Sequence, residues 1–224
     1  MVKLVAFFKR KRGLSVEGFQ EHWRTRHAEL VVQQEGLRRY VQNHTLPSGY
    51  VRHEPDYDGV AEAWFDDTNA MRALADAPTY LAVREDEAAF IEPSSMGTLL
   101  VDEVTIADGA VPEDAVKFIA FLNRRKRLGY AAFQKHWRER HGPIAARVPG
   151  IRRYVQCHVR PGIYESGREP VYDGIPISWF DDTGALRISG ASAELATTRA
   201  DEAHFLEPGR LPFVIARELE IPLP

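Results

Sequence analysis

VKLVAFFKRKRGLSVEGFQEHWRTRHAELVVQQEGLRRYVQNH, residues 2–44, returns as VKFIAFLNRRKRLGYAAFQKHWRERHGPIAARVPGIRRYVQCH at residues 116–158. The offset of 114 holds to Tyr50/Tyr164, slips by one in a loop, and resumes at 115 through YDG, WFDDT and DEA to Ile106/Ile221. Aligning residues 2–50 and 54–106 with their partners gives 43 identities in 102 positions. The chain therefore carries one unit twice. A period this long excludes a solenoid, whose repeats run about 20–50 residues. Each copy is large enough to own a core. The boundary falls between residues 1–109 and 110–224, within a Gly- and Pro-containing linker.

Composition sets limits on function. The 224 residues are 44% hydrophobic and 27% charged, with a net charge of −3, the profile of an ordinary soluble globular chain. That balance offers no general attraction to nucleic acid or to an anionic membrane. The basic runs Lys9–Arg12 and Arg124–Arg127 read as solvated turns more readily than as phosphate sites. Cys157 is the single cysteine, so an internal disulfide and a thiol metal cluster are both excluded, and a reducing, cytoplasmic setting fits. No signal peptide precedes the first strand pattern, and no apolar run reaches the roughly 20 residues that span a bilayer.

Local patterns give an order of elements. Residues 2–8 are short, apolar and β-prone. Gly13 and Ser15 mark a turn and an N-cap. Apolar residues at 16, 19, 23 and 30 then follow helical spacing to a stop near Gly36. Strands are expected at 37–46, 60–65 and 98–106. A helix is capped by Asp66-Asp67-Thr68, and more helix runs over 81–90. The sequence β-α-β-β-α-β is the ferredoxin-like plan.

The segments FFKRKRGLSVEGFQEHWRTRHAEL…GLRRYVQNH and FLNRRKRLGYAAFQKHWRERHGPI…GIRRYVQCH resemble the EthD-like family of the dimeric α/β-barrel superfamily. The resemblance covers both halves, and H-W-x-x-x-H followed by an R-R-Y strand is its most specific part. It implies an α+β fold in which two βαββαβ units pack their antiparallel sheets face to face, an intramolecular pseudo-dimeric α/β barrel. It also implies a fused chain that is a monomeric pseudo-dimer or a homodimer. Relatives in that superfamily include cofactor-free monooxygenases, cyclases, dehydratases, decarboxylases, an isomerase and haem enzymes. Fold alone therefore fixes little about function.

Candidate chemistry sits on the first helix and the second strand. At about 100° per residue, Phe19, Trp23 and Leu30 define the inward face, and His27 lies about 60° from its centre. His141 repeats this beside Trp137. Histidine exchanges protons near neutral pH, but one near a helix end also caps carbonyls. His22 and His136 fall on the opposite flank. His22 and His27, about 140° apart on an α-helix, do not converge as a metal pair would. No metal and no cofactor is expected. On the next strand Tyr40, Gln42 and His44 share a face, as do Tyr154, Gln156 and His158. They form either a satisfied polar network or a ligand wall. Asp58 and Asp173 read as Asp-Gly turns. Trp64 and Trp179 are core aromatics or flat walls for an aromatic ligand. Glu62, whose counterpart is Ile177, either faces solvent or acts as a cavity acid.

These residues suggest a cofactor-free enzyme of lyase, cyclase or isomerase type. It would act on a small apolar, cyclic or aromatic metabolite. His27 and His141 would move the proton, with Tyr40, Tyr154, His44 and His158 as the other catalytic candidates. Trp23, Trp137, Trp64, Trp179 and Glu62 are the expected substrate contacts. A non-catalytic small-molecule-binding protein of an oxidative pathway and a cofactor-free monooxygenase are the competing readings.

Overall fold

The computed structural model describes residues 1–224, the side chain of Asp76 excepted. The chain is α+β and divides into two compact units, residues 1–100 with 218–224 and residues 101–217. The β-α-β-β-α-β order is present in each repeat, with short extra helices.

In unit 1, β1 (Val2–Phe8) and β2 (Leu37–Thr45) flank β3 (Gly59–Phe65) in an antiparallel sheet. Alternation divides the residues between two faces. One face carries Leu4, Ala6, Phe8, Ala61, Ala63 and Phe65, and meets the helices. The other carries Val5, Val41 and Val60, each with no exposed surface. α1 (Val16–His22) starts at Ser15, whose side chain accepts a bond from the Gly18 amide. A π-helical segment, Trp23–His27, follows, and α2 (Ala28–Val31) completes the rod. α3 (Thr68–Ala73) is capped by Asp67, and α4 (Pro78–Phe90) starts with Pro at its first position, where no helical N–H is lost. β4 (Gly97–Asp108) begins in unit 1 and passes into unit 2 at Val101, so it runs two residues beyond the strand expected from sequence.

Unit 2 repeats the plan with β5 (Val116–Ala120), α5 (Tyr130–His136), a π segment at Trp137–His141 and α6 (Gly142–Ala145). β6 (Arg153–Val159), α7 (Gly162–Glu165) and β7 (Gly174–Phe180) follow. α8 (Thr183–Ser189), α9 (Ala193–Glu202) and β8 (Phe213–Ile221) close the chain. Its antiparallel strands run β4–β6–β7–β5–β8.

A buried tryptophan organises each unit. Trp23 and Trp137 have no exposed surface. Trp23 packs edge-on against Phe8 at 5.0 Å between centroids, and Phe19 lies 5.8 Å away. The glycine of each YDG triplet lies directly beneath the indole. A Cβ at Gly59 would collide with the Trp23 ring, and one at Gly174 with the Trp137 ring. Overpacking a filled core costs about 1–3 kcal/mol. Gly59→Ala and Gly174→Ala are each expected to destabilise by that amount, read as a lowered urea midpoint. A midpoint equal to wild type would refute the close indole packing.

The aspartates of the same triplets anchor the loop after the first strand. Asp58 is fully buried. It accepts from the Arg10 amide at 3.0 Å, the Arg10 guanidinium and the Tyr50 hydroxyl at 2.7 Å. Asp173 holds the Arg124 amide and the Tyr164 hydroxyl in the same way, each at 2.8 Å. Each basic run thus gives one arginine, Arg10 and Arg124, to this stapling. Lys9 also donates to the Pro55 carbonyl at 2.7 Å, and Arg124 to Glu169.

Candidate active site

Each unit holds an apolar cavity on the helix-facing side of its sheet. The unit 1 cavity is about 390 Å³ and the unit 2 cavity about 600 Å³, both within the range of small-ligand sites. Trp23, His27 and Tyr40 line the first, and Trp137, His141 and Tyr154 the second. The two walls differ in several side chains. Tyr80 in the first wall is Leu195 in the second, and Gln34 is replaced by Val148.

The π segments bring together histidines that an α-helix would separate. The Ala28 amide reaches back to the Trp23 carbonyl, an i→i+5 bond, and such a turn places residues five apart on one face. His22 and His27, which α-helical phase put on opposite flanks, therefore converge. Asp86 on α4 is their common partner. Its carboxylate bonds His22 Nε2 at 3.0 Å, His27 Nδ1 at 3.0 Å and Arg26 Nε at 3.0 Å. Asp201 does the same in unit 2, with His136 Nε2 at 3.0 Å, His141 Nδ1 at 3.1 Å and Arg140 at 3.5 Å. Both aspartates are buried. Burial opposes their ionisation, but the histidine bonds more than offset it and hold both carboxyls below the usual range.

His27 and His141 are themselves buried, and burial pushes both imidazoles below the usual histidine value despite the aspartate. A neutral ring beside a carboxylate places its proton on the bonded nitrogen, so Nδ1–H donates to the aspartate. Nε2 is left with a lone pair and no partner among the described residues. That is the arrangement of an oriented general base. Phe90 and Phe205 pack on these rings at 4.8 Å.

The tyrosines complete the site through a relay. Trp23 Nε1–H donates to Tyr40 Oη at 3.0 Å, and Gln42 Nε2–H donates to the same oxygen at 3.3 Å and to the Trp23 carbonyl at 2.8 Å. In unit 2 the corresponding distances are 3.3, 3.0 and 2.9 Å. Each phenol oxygen thus accepts two bonds, while its own O–H has no acceptor among the described residues. Burial pushes both phenols up to about 12, so they remain hydrogen-bond donors. His44 and His158 stand behind the relay, outside the cavity wall. Each bonds its glutamine Oε1, at 2.9 and 3.0 Å, and packs on its tryptophan at 4.4 Å. Burial lowers both to about 4, which keeps them neutral.

Other expected contacts lie elsewhere. Trp64, Trp179 and Glu62 occupy the opposite face of β3 and β7 from the residues that line the cavities. Trp64 carries Lys3 at 4.6 Å and Arg39 at 4.8 Å over its ring. Glu62 is 1% exposed, so it does not face solvent. It pairs with Lys3 and accepts from Asn43 at 2.8 Å. A lone carboxylate there would be costly, and the pair removes that cost.

Two further pairs of acids belong to the sites: Asp86 with Asp201, and Glu87 with Glu202. Glu87 and Glu202 line the cavities. Burial raises both carboxyls, Glu202 to about 7. The repeated D-E-A triplet of α4 and α9 carried the signal. Among the described residues no group of three or more His, Cys, Asp or Glu side chains could hold a metal ion. Among the described residues no helix is long and apolar enough to cross a membrane.

Comparisons place the fold. An anthrone oxidase-like protein superposes with a TM-score of 0.68 at 12% identity, covering 98% of this chain and 93% of its own. A mutant chlorite dismutase from Candidatus Nitrospira defluvii gives 0.54 at 12%, covering 99% and 92%. At such identities the likeness is one of fold. No curated protein sequence matches the chain. The EthD domain matches residues 11–94 and again 125–209, segments that hold the histidine–aspartate clusters and the Trp–Tyr–Gln relays described above. The chain belongs to the EthD family, with the domain present twice.

Proposed function

We propose that the protein is an enzyme that moves a proton on a small apolar ring compound, using its own side chains and no cofactor. The observation that carries this reading is the pairing, in one apolar cavity, of an aspartate-oriented neutral histidine with a phenol whose O–H is unclaimed. The histidine Nε2 would take a proton from carbon, and the Tyr O–H would stabilise the oxygen on which charge develops. Reactions of lyase, cyclase or isomerase type begin in this way. Cofactor-free oxygenation is a second reading that starts from the same proton removal. The fold likeness to an anthrone oxidase-like protein is what favours it.

Exchange of the α-hydrogens of 1-indanone in D₂O, followed by proton NMR, isolates this step from any later chemistry. The protein is expected to accelerate exchange above buffer. Exchange at the buffer rate would refute the reading.

A further inference from the structure

The two cavities are not chemically equivalent. Arg84 and Arg199 hold the same place in the repeats, three residues before Glu87 and Glu202. In unit 1, Arg84 Nη1 donates to Glu87 Oε2 at 2.6 Å. In unit 2, Arg199 makes no such bond, and Glu202 has no hydrogen-bond or ion-pair partner among the described residues. Arg199 acts on it only through longer-range charge. Glu202 shares the larger cavity with His141 and Tyr154, and its charge opposes ionisation of the Tyr154 phenol. The other ionisable groups at this wall are Arg199 and Arg210. Asp201, beside Glu202 on α9, is occupied by His136, His141 and Arg140.

We propose that Glu202 is the proton donor of the unit 2 cavity, acting on the carbonyl oxygen of an enolisable ring ketone, and that Arg84 denies Glu87 this role in unit 1. The inference rests on the proton-transfer reading given above. His141 Nε2 takes the α-hydrogen as a proton, and the C–H electron pair forms the C=C bond. The carbonyl π pair moves onto oxygen, which receives the Glu202 proton under a hydrogen bond from Tyr154. The products are a neutral enol, a histidinium and a carboxylate, so atoms and charge balance. A carboxyl poised at about 7 is part protonated at neutral pH. Burial raises the Glu87 carboxyl too, but the Arg84 charge and hydrogen bond oppose that rise and occupy the carboxylate, so it is not free to hand a proton to a ligand.

The test uses the whole protein and 1-indanone exchange. Glu202→Gln is expected to lower exchange at pH 6 about 100-fold, within the range that a general acid contributes. It also removes the fall in wild-type rate as pH rises through about 7. In the Glu202→Gln background, Arg84→Met frees Glu87 and is expected to restore at least about tenfold of the loss, and adding Glu87→Gln abolishes the restoration. The arginine is exposed, so its removal leaves the core untouched. Exchange that survives Glu202→Gln with its pH dependence intact, or Arg84→Met without restoration, overturns this inference and leaves the general reading standing. Wild-type exchange at the buffer rate overturns both.

Discussion

Replacing both cavity histidines, His27→Ala with His141→Ala, is expected to reduce 1-indanone exchange by about 10²–10⁴-fold, the contribution of a positioned general base. The fold should survive this change. Asp86 retains His22 and Arg26, and Asp201 retains His136 and Arg140, so neither buried carboxylate is stranded. A far-ultraviolet circular dichroism spectrum matching wild type would confirm it. Each single variant removes one base, and the unequal acids predict that His141→Ala loses more than His27→Ala. Wild-type exchange in the double variant would remove these histidines from the chemistry and assign the proton transfer to another group.

Stability is expected to fall as pH drops from 6.5 toward 4. His27, His44, His141 and His158 all have depressed values in the folded state, with burial the first cause. In the unfolded chain each takes up its proton near 6.5. A depressed folded value contributes stability that is present above the unfolded value and lost as pH falls toward the folded one. His158 is 6% exposed and lowered to about 4, so it alone accounts for about 3 kcal/mol at the acid end of that window. Glu202 works against this trend. A carboxyl raised to about 7 regains stability as pH falls through that value. Four histidines set against the raised Glu87 and Glu202 leave a net loss. Asp86 and Asp201, held low, extend the loss below about pH 3.8. Urea midpoints at pH 7, 5.5 and 4.5 are expected to decline, with a shallower decline in His44→Gln plus His158→Gln. A flat profile would contradict neutral buried imidazoles.

The scaffold was legible because strand alternation and turn residues act locally. Ser15 and Asp67 cap the helices where their side chains place them, whereas the first helix ends at Val31, five residues before Gly36, which instead turns the chain into the second strand. Trp23 and His27 were legible as neighbours because helix phase places them there, whereas the bond from Trp23 to Tyr40 depends on how the helix packs on the sheet. The histidine cluster was not legible. Side-chain spacing does not report a change of backbone hydrogen-bond register, so a regular α-helix placed His22 away from His27. The π turn reverses that result. Asp86 and Glu87 lie in an acidic stretch of α4 that reads as a solvated face, and only tertiary packing buries them. The opposite face of β3 was legible as unusual, through Glu62, but not as a salt bridge, because its partner Lys3 comes from another strand.

The most direct measurement is a crystal structure of the protein soaked with 1-indanone. The ring is expected inside the unit 2 cavity, its oxygen within hydrogen-bond reach of Tyr154 Oη and its α-carbon facing His141 Nε2. A ring bound outside both cavities, or inside one with its oxygen turned away from the tyrosine, would contradict the proposed proton transfer.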